Sequence, residues 1–238
     1  MGSKGLISIP AYNEEANIGS VLERVRAAQL TEDVLVVNDG SKDATAQIAE
    51  SHGVRVVTHE VNRGYAAGLQ TGMRYALEHG YDYLVFFDAD GQHDPRYVAD
   101  LRARALADGG PDIVIGSRFI LPSGYHAPLG RKLGMAVFSW LTLIGGRRIH
   151  DTTSGFKLLR RRAIEILCGQ PFNDFHAEMI IFSLVAGLHV EEVPITVAER
   201  ESGTSMYTWL DSIKYPAKTL AAIALLLPEA RRIAKRSG

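Results

Sequence analysis

Two carboxylates stand one residue apart directly after an apolar run, and their type and spacing point to metal and phosphate chemistry. The run Tyr83–Phe87 is apolar or aromatic throughout, which indicates a strand buried on both faces. Asp88 and Asp90 follow it, and Gly91 comes next. Carboxylates this close repel each other unless a positive charge lies between them. A divalent cation that carries substrate phosphates would supply that charge, whereas the alternative is a solvated turn with incidental acids.

Three further segments rich in polar residues follow other apolar runs in the first half of the chain. They are Pro10–Glu15, Asn38–Ser41 and Asn62–Gly64. Each is a weak signal on its own, since Asn-Asp-Gly-Ser is equally an ordinary turn followed by a helix cap. Open α/β sheets bind their ligands at the carboxyl ends of the strands. Four such segments at one edge of a sheet therefore indicate a single ligand site.

The spacing of apolar residues predicts alternating strands and helices over the first 120 residues. The predicted strands are Gly5–Ile9, Val34–Asn38, Val54–Thr58, Tyr83–Asp88 and Ile113–Ser117. The predicted helices are Glu14–Ala28, Lys42–His52, Ala66–His79 and Pro95–Ala107. This alternation predicts an α/β fold with a mainly parallel sheet flanked by helices.

The second half of the chain is patterned less regularly. Its predicted elements are a loop rich in Pro and Gly over Ile120–Gly130, helices over Leu133–Ile144 and Phe175–Ala186, and a strand over His189–Val197. No internal repeat or clear linker interrupts the chain. We predict one domain over residues 1–207 and an amphipathic, basic C-terminal segment over residues 208–238.

The composition is that of a globular protein, with 46% hydrophobic and 22% charged residues. A net charge of −1 gives no reason to expect a nucleic-acid partner. The single cysteine, Cys168, cannot form an internal disulfide, which favours a reducing, cytoplasmic setting. No apolar run reaches the ~18 residues that a membrane-spanning helix needs.

The chain resembles glycosyltransferase family 2, the inverting transferases with the GT-A fold, and within it the dolichyl-phosphate mannosyltransferase-like branch. The resemblance covers roughly Gly5 to Tyr207 and is specific because several motifs occur together. The motifs of the first half are Ile9–Glu15, Val37–Ser41, Asn62–Gly64 and Asp88–Pro95. Those of the second half are Gly116–Arg118, Asp151–Lys157 and Arg200–Ser205.

The resemblance implies a nucleotide-sugar site and a metal site at the first four segments. In the family, the ends of the first two strands hold the base and the ribose, so Tyr12 offers a flat face and Glu14 and Asp39 offer acceptors. The implied nucleotide-sugar-binding residues are Pro10, Tyr12, Glu14, Asp39, Gly64, Asp88, Ala89 and Asp90. The implied ligands of Mg²⁺ or Mn²⁺ are Asp88, Asp90 and Gln92. Such an ion would neutralise the leaving diphosphate.

The resemblance also implies an acceptor side. Arg118 and Arg131 would hold phosphates, since guanidinium groups suit bidentate phosphate recognition. The implied acceptor-side residues are Asp151, Thr153, Ser154, Arg200 and Ser205, and the implied catalytic residues are Asp90, Glu178, Arg118 and Arg131. Glu178 lies where many relatives place a base, which a sugar hydroxyl requires. A phosphate acceptor is already an anion, and Glu178 would then orient other groups.

The C-terminal segment bears on the acceptor. Its apolar and aromatic residues are followed by a cluster of cations, as in a helix lying on an anionic membrane surface. The alternatives are a helix packed on the core with a solvated basic tail, and a contact in a homodimer. Relatives that use polyprenyl phosphates commonly have a Lys where this chain has Met206, which weakens the case for a lipid-phosphate acceptor.

These observations lead to one main hypothesis and three alternatives. The main one is a metal-dependent inverting hexosyltransferase that uses a nucleotide-diphosphate sugar, of the GDP-mannose or UDP-glucose type, and polyprenyl phosphate. It would act in the cytoplasm, peripherally at the inner face of the cell membrane. One alternative is a family 2 transferase with a saccharide or lipid-linked glycan acceptor and Glu178 as base. The others are a nucleotidyltransferase and a non-catalytic nucleotide-sugar binder.

Overall fold

A computed structural model describes residues 2–120, 129–173, 175–197 and 209–237, without side-chain placement for 129–134, 209–217 and 237. The strands are β1 Gly5–Ala11, β2 Asp33–Asn38, β3 Arg55–Thr58, β4 Tyr83–Phe86, β5 Ile113–Ser117, β6 Lys157–Arg160 and β7 Val190–Pro194. The helices are α1 Ile18–Ala27, α2 Thr45–Ser51, α3 Tyr65–Glu78, α4 Tyr97–Leu106, α5 Leu129–Leu141, α6 Arg161–Leu167, α7 Ala177–Val185 and α8 Trp209–Ser237. A 3-10 turn, Thr142–Gly145, directly follows α5.

Within the described residues the strands form one seven-stranded sheet in the order β3-β2-β1-β4-β6-β5-β7. β1, β2, β3 and β4 pair in parallel, whereas β6 is antiparallel to both of its neighbours, β4 and β5. The prediction of an α/β, mainly parallel sheet flanked by helices is therefore confirmed. The antiparallel β6 and the helix α6 that follows it were not predicted.

Apolar side chains pack on both faces of this sheet, which is why the strands correspond to continuous hydrophobic runs in the sequence. On one face, Leu69 and Met73 of α3 pack with Ile164 of α6 and Met179 of α7. On the other face, residues of α1, α2 and α4 form the second core cluster, which includes Val21, Ala49 and Leu101. The core is thus three-layered, with helices on each side of the strands.

α8 covers one flank of α7. Ile223 of α8 packs with Ala177 and Ile181 of α7 and with Phe138 of α5, so α5 and α8 share one apolar cluster. Among the helices whose residues are described, none combines the length and the apolar character that a membrane crossing requires. The loop predicted over Ile120–Gly130 lies mostly outside the described residues, although Leu129 and Gly130 belong to α5.

Candidate active site

The polar segments predicted to share one edge of the sheet do so. β1, β2 and β4 are parallel, with Ala11 opposite Asn38 and Ser8 opposite Phe86. Beyond the last pairs, the amide of Asp39 donates to the carbonyl of Ala11 over 2.8 Å. The loops that follow the carboxyl ends of these strands therefore lie around a common cleft.

A cavity of about 540 Å³ opens between the loops that follow β1, β2 and β3, which is within the usual range for small-molecule sites. Tyr12 lines it with 41% of its surface exposed, so its ring is available to a flat ligand. Asn13 ties two of the loops together: its amide donates to Oγ of Ser41 over 3.0 Å, and its Oδ1 accepts from the amide of Lys42 over 2.9 Å. These bonds fix the position of Tyr12 relative to the cavity.

Asp39 is buried beneath this cavity and is already engaged by the protein. Its Oδ1 lies 2.7 Å from Nδ1 of His59 and accepts from the amide of Arg63 over 2.9 Å. Its Oδ2 accepts from the amide of Gly64 over 2.7 Å, where φ is +89° and a side chain would be strained. In this structure Asp39 thus holds the turn that leads into α3, and binding of a ribose hydroxyl by Asp39 stays a prediction.

Of the other residues predicted to bind the nucleotide sugar, some are buried in the core and others are partly exposed. Pro10 and Ala89 are buried, the first within β1 and the second between the two acids. Glu14 is partly exposed, and its Oε2 accepts from Nδ2 of Asn17 over 2.7 Å. The backbone amide of Glu14 donates to Oγ1 of Thr45 over 2.8 Å, which anchors the loop after β1 to α2.

Asp88 lies where the two sides of the cleft meet. Its Oδ1 accepts a hydrogen bond of 2.9 Å from the hydroxyl of Tyr65, and its Oδ2 lies 3.6 Å from Nε2 of His93. Burial of the carboxyl acts to raise its pKa, but the hydrogen bonds from His93 and Tyr65 and the positive potential of His93 and His176 outweigh it, so the pKa is lowered to about 2. The side chain is nevertheless 25% exposed. Asp88 is therefore an anion that faces the cleft.

The loop that carries Asp90 and Gln92 is held from outside by α1. Arg24 donates to the carbonyl of Gly91 over 2.7 Å and to the carbonyl of His93 over 2.9 Å. Within the loop, Oδ1 of Asp90 accepts from the backbone amide of Gln92 over 3.1 Å. Arg24 was not predicted as a site residue, because 67 residues of sequence separate it from Gly91.

The donor set at this loop fits a hard divalent cation. Both Asp88 and Asp90 are partly exposed, and Gln92 adds an amide oxygen as a third candidate. Among the described residues no group of three His, Cys, Asp or Glu side chains is arranged to enclose a metal ion. Mg²⁺ characteristically takes one or two carboxylates and completes its shell with phosphate oxygens and water. Two partly exposed carboxylates with an amide oxygen nearby match that preference.

The loop between Asp151 and Phe156 closes the other side of the cleft. A Cβ on Gly155 would collide with Oδ2 of Asp88, so the backbone of this loop lies directly against the carboxylate. The ring of Phe156 stacks on His93, with centroids 5.1 Å apart and planes inclined by 23°. Glycine at 155 is thus required for a close approach, since its φ is not positive.

Arg118 holds this loop through a buried ion pair. Its Nε and Nη2 donate to the two oxygens of Asp151, each over 2.8 Å, and Nη2 also donates to Oγ1 of Thr153 over 2.8 Å. Burial raises the pKa of Asp151, but the hydrogen bonds and charge of Arg118 lower it by more, so the net shift is downward. Arg118 therefore positions the acceptor-side loop, and a phosphate contact by Arg118 stays a prediction.

Two charged residues lie buried behind that loop. Lys157 opens β6 with 2% exposure, and its ammonium donates to the carbonyl of Ser154 and, over 3.2 Å, to the carbonyl of Phe175. Glu178 is 1% exposed in the first turn of α7, and its Oε1 accepts from the amide of Asn173 over 3.3 Å. Lys157 thus ties the Ser154 loop to the segment that leads into α7, a role that sequence reasoning missed.

The described residues do not include every predicted site residue. Arg200 and Ser205 lie outside them, as does Met206, and the side chain of Arg131 in α5 is likewise not described. Of the predicted acceptor-side residues, Asp151, Thr153 and Ser154 come together in one loop.

Comparisons with known proteins agree with this geometry. The family model described as glycosyl transferase family 2 matches residues 6–167. The polyprenol monophosphomannose synthase of Mycolicibacterium smegmatis is 33% identical, with 84% of this chain and 79% of that protein covered. The undecaprenyl-phosphate mannosyltransferase of Micrococcus luteus is 34% identical, with 84% of this chain and 86% of that protein covered.

The solved structures give the same fold. Glucosyl-3-phosphoglycerate synthase from Mycobacterium tuberculosis, crystallised with Mn²⁺, UDP-glucose and phosphoglyceric acid, superposes with a TM-score of 0.69. The alignment covers 95% of this chain and 80% of that one, at 23% identity. At this identity the likeness is one of fold, and the fold is GT-A.

Proposed function

Because this chain belongs to glycosyltransferase family 2, in the dolichyl-phosphate mannosyltransferase-like branch, we propose that it transfers a hexose from a nucleotide-diphosphate sugar to polyprenyl phosphate. The chain is a glycosyltransferase by family. The two relatives named above are a monophosphomannose synthase and a phosphate mannosyltransferase, which favours mannose and a GDP-mannose donor. UDP-glucose is the second donor to be tested.

The position of Asp88 between the two sides of the cleft is the observation that carries the proposal. On one side, the hydroxyl of Tyr65 donates to its Oδ1, and Tyr65 begins α3 shortly after Asn62, which lines the cavity together with Tyr12. On the other side, Gly155 presses against its Oδ2. A diphosphate beside Asp88 would therefore have its nucleoside in the cavity and its sugar turned towards the Asp151–Phe156 loop.

In the proposed reaction the acceptor phosphate attacks the anomeric carbon from the side opposite the diphosphate. The bond to the new phosphate oxygen forms as the bond to the diphosphate breaks, and a single displacement of this kind inverts the anomeric configuration. The attacking phosphate is an anion at neutral pH and needs no general base. The burial of Glu178 and its hydrogen bond to the amide of Asn173 support a positioning role rather than proton abstraction.

We further propose that Asp88, Asp90 and Gln92 hold Mg²⁺ or Mn²⁺ when the donor binds. Bound there, the ion would supply positive charge to the leaving diphosphate. The remaining contributions come from the chain itself. Tyr12 orients the base, Arg24 fixes the loop that carries Asp90, and Arg118 fixes the loop that faces the sugar.

The setting that follows from a polyprenyl phosphate acceptor is the surface of a membrane. We propose that the protein acts peripherally at the cytoplasmic face, where nucleotide sugars are made and consumed. The basic end of α8, with Arg231, Lys235 and Arg236 exposed, supports a contact with anionic lipid.

The experiment that tests the proposal measures transfer from GDP-mannose and UDP-glucose to a short polyprenyl phosphate in the presence of Mn²⁺. Asp90→Asn should lower the rate at least about 100-fold, because it removes an anionic candidate ligand from the leaving-group side. Asp100→Asn is the matched control, since Asp100 is exposed on α4. Full activity of Asp90→Asn after chelation of the metal would contradict the proposed site.

A Glu178→Gln variant in the same assay separates the two acceptor classes. With a phosphate acceptor its rate should fall by less than about tenfold, whereas loss of a general base from a hydroxyl acceptor costs about 10²- to 10⁴-fold. Donor hydrolysis that is indifferent to the lipid phosphate would assign the acceptor to the saccharide class.

A further inference from the structure

A second cavity, separate from the one lined by Tyr12, lies between α3 and the segment that connects α6 to α7. We call it the α3 groove, and its volume of about 360 Å³ is within the usual range for small-molecule sites. One wall is α3 with the turn before it, and the other is the segment Gly169–Phe172. Gln70 joins the two walls, because its Nε2 donates to the carbonyl of Gln170 over 3.0 Å and its Oε1 accepts from the amide of Gly169 over 2.8 Å. The groove therefore has a defined shape.

Two arginines line the α3 groove. Arg63 precedes the first residue of α3 and Arg74 lies in its third turn, so about 14 Å of helix separates their backbones. Neither guanidinium pairs with an acid among the residues that the structure describes, although Glu78 follows Arg74 by one turn. Burial raises the pKa of the Cys168 thiol, and the charge of Arg74 acts in the opposite direction. The charge of Arg74 therefore extends to the opposite wall, where Cys168 directly precedes Gly169.

The lining of the α3 groove indicates the chemistry of its ligand. Guanidinium groups suit phosphates, which they bind through charge-assisted and often bidentate hydrogen bonds. Between the two arginines the lining includes Ala66, Ala67 and Phe172, which offer apolar surface to the body of a ligand. Because the arginines line one cavity but are widely spaced, a ligand with a phosphate at each end would engage both.

A chain of hydrogen bonds links the α3 groove to the cavity lined by Tyr12. Thr71 lines the groove, and its Oγ1 lies 2.8 Å from Nε2 of His59, which lines the cavity. Nδ1 of His59 lies 2.7 Å from Oδ1 of Asp39, and the same oxygen accepts from the backbone amide of Arg63. A ligand held by the side chain of Arg63 would therefore act on the turn that Asp39 holds.

We propose that the α3 groove is an effector site for a small molecule with two phosphate groups, and that its occupant strengthens nucleotide binding. Arg63 and Arg74 would each hold one phosphate, and the body of the ligand would lie against Phe172. With its side chain held, Arg63 keeps its amide on Asp39, and its neighbour Asn62 lines the cavity proposed for the nucleotide. The effect on nucleotide binding rests on the proposed function, whereas occupancy of the groove does not.

Isothermal titration calorimetry of the full chain in metal-free buffer tests occupancy, with fructose 1,6-bisphosphate as the probe. We expect one bound molecule per chain. Arg74→Gln should bind the probe at least about tenfold more weakly, because it removes charge-assisted hydrogen bonds to one phosphate. Arg26→Gln, which removes an exposed charge from α1, should bind as the wild type does. Glucose 6-phosphate, which has one phosphate, should bind at least about tenfold more weakly than the probe.

A substitution that keeps every charge separates a shaped site from general attraction of anions. Ala67→Leu fills part of the α3 groove and should also weaken binding of the probe. The melting temperature of each variant without ligand checks that it is folded. Equal affinity of the wild type, Arg74→Gln and Ala67→Leu, or no binding at all, would overturn the proposal. Since these titrations contain neither nucleotide nor metal, their failure would leave the proposed transfer reaction standing.

Titration of GDP and UDP with excess Mn²⁺, with and without the probe, measures the effector role. In the wild type the probe should lower the dissociation constant of the nucleotide at least about fivefold, and the nucleotide should lower that of the probe by the same factor. Thr71→Val, which removes the hydroxyl beside His59, should bind the probe but lose this coupling. Unchanged nucleotide affinity with the probe bound would overturn the effector role. Absence of nucleotide binding in every condition would contradict the proposed function and the effector role together, but not the occupancy of the groove.

Discussion

The charged side chains at the edge of the sheet have two kinds of task. Asp88 and Asp90 keep part of their surface open to the cleft, where a ligand can reach them. Arg118 and Lys157 use their charge to fix loops from within the protein. A charged group is buried at a cost of several kcal/mol unless partners satisfy it, so each loop-holding residue is matched to an acid or to carbonyl oxygens.

Asp151→Asn should destabilise the protein by about 3 kcal/mol at pH 7, because it leaves the guanidinium of Arg118 without its charged partner. The folded-state pKa of Asp151 lies below that of the unfolded chain, so the folded protein binds fewer protons and stability rises with pH. The contribution is complete above the unfolded pKa of about 4 and is lost as pH falls through the lower folded pKa. Urea denaturation of both proteins between pH 7 and pH 2.5 measures it.

The difference in unfolding free energy between wild type and Asp151→Asn should therefore shrink in acid. Asp108→Asn is the control, since Asp108 is an exposed acid after α4. A difference for Asp151→Asn that stayed constant down to the lowest pH would show that the ion pair with Arg118 contributes nothing through its charge.

Sequence reasoning identified the partly exposed acids after β4 but not the ion pair and the hydrogen bonds that hold the neighbouring loops. Asp88 and Asp90 could be recognised because they closely follow a buried strand and only Ala89 lies between them. The partner of Arg118 is 33 residues away, across α5, and no local pattern reports such a pairing. The ion pair of Arg118 with Asp151 was therefore not predicted, and a phosphate contact by Arg118 stays a prediction.

At the scale of elements, the contact of the Asp151–Phe156 loop with the end of β4 sets the width of the cleft. Gly155→Ala would place a methyl group against Oδ2 of Asp88. Either the loop or the carboxylate must then move, and a displacement of about 1 Å at a reacting centre can cost about 100-fold in rate. We expect transfer to fall by that factor, with a loss of stability of about 1–3 kcal/mol from overpacking.

Steady-state transfer assays and thermal unfolding of the same samples check this expectation. Gly19→Ala in α1 is the control, since the added methyl group would lie 3.4 Å from Cγ2 of Ile48, an ordinary contact. Wild-type activity in Gly155→Ala would mean that the cleft tolerates a wider opening beside Asp88.

The strands and helices of the first half could be predicted because each apolar run is separated from the next by Gly, Asn or Asp. β6 could not be predicted for the opposite reason. Its four residues, Lys157–Arg160, continue into α6 without a turn residue. The spacing of apolar residues across both elements therefore fits neither a strand nor a helix alone. The predicted strand His189–Val197 corresponds to β7, Val190–Pro194.

Over the whole molecule, the two sides of the cleft belong to different parts of the sheet. The proposed nucleotide side consists of β1, β2 and β3 and the loops after them, and the proposed acceptor side is built around β5, β6 and α7. The α/β class follows from the alternation of strands and helices, which the sequence displays. The insertion of β6 between β4 and β5 depends on pairings between residues far apart in the chain. The sequence contains no local pattern that indicates such pairings.

The nucleotide side should bind its ligand independently of the acceptor side. A nucleotide at 100 times its dissociation constant raises the free energy of unfolding by about 2.7 kcal/mol, which appears as a higher melting temperature. With Mn²⁺ and GDP or UDP, we expect that increase in the wild type and in Asp151→Asn. Tyr12→Ala should lose most of it, whereas Tyr12→Phe, which keeps the ring, should retain it.

Scanning fluorimetry with each nucleotide reports both the base preference and the independence of the two sides. Loss of the shift in Asp151→Asn would couple the acceptor loop to nucleotide binding. A full increase in melting temperature in Tyr12→Ala would show that the ring of Tyr12 does not contribute to nucleotide binding.

The antiparallel β6 also has a consequence for how the site is assembled during folding. β1, β2 and β3 follow one another along the chain, so the cavity side can form from local pairings as soon as they are made. In β6, Arg160 pairs with Tyr83 and Leu159 pairs with Ile113. Each of these pairings closes a long loop, and the entropy lost in closing it opposes folding until the strand contacts have formed. Asp88 can meet Gly155 only once β4 and β6 have paired, so we expect the edge of the sheet that carries both residues to be completed after β1, β2 and β3 have paired.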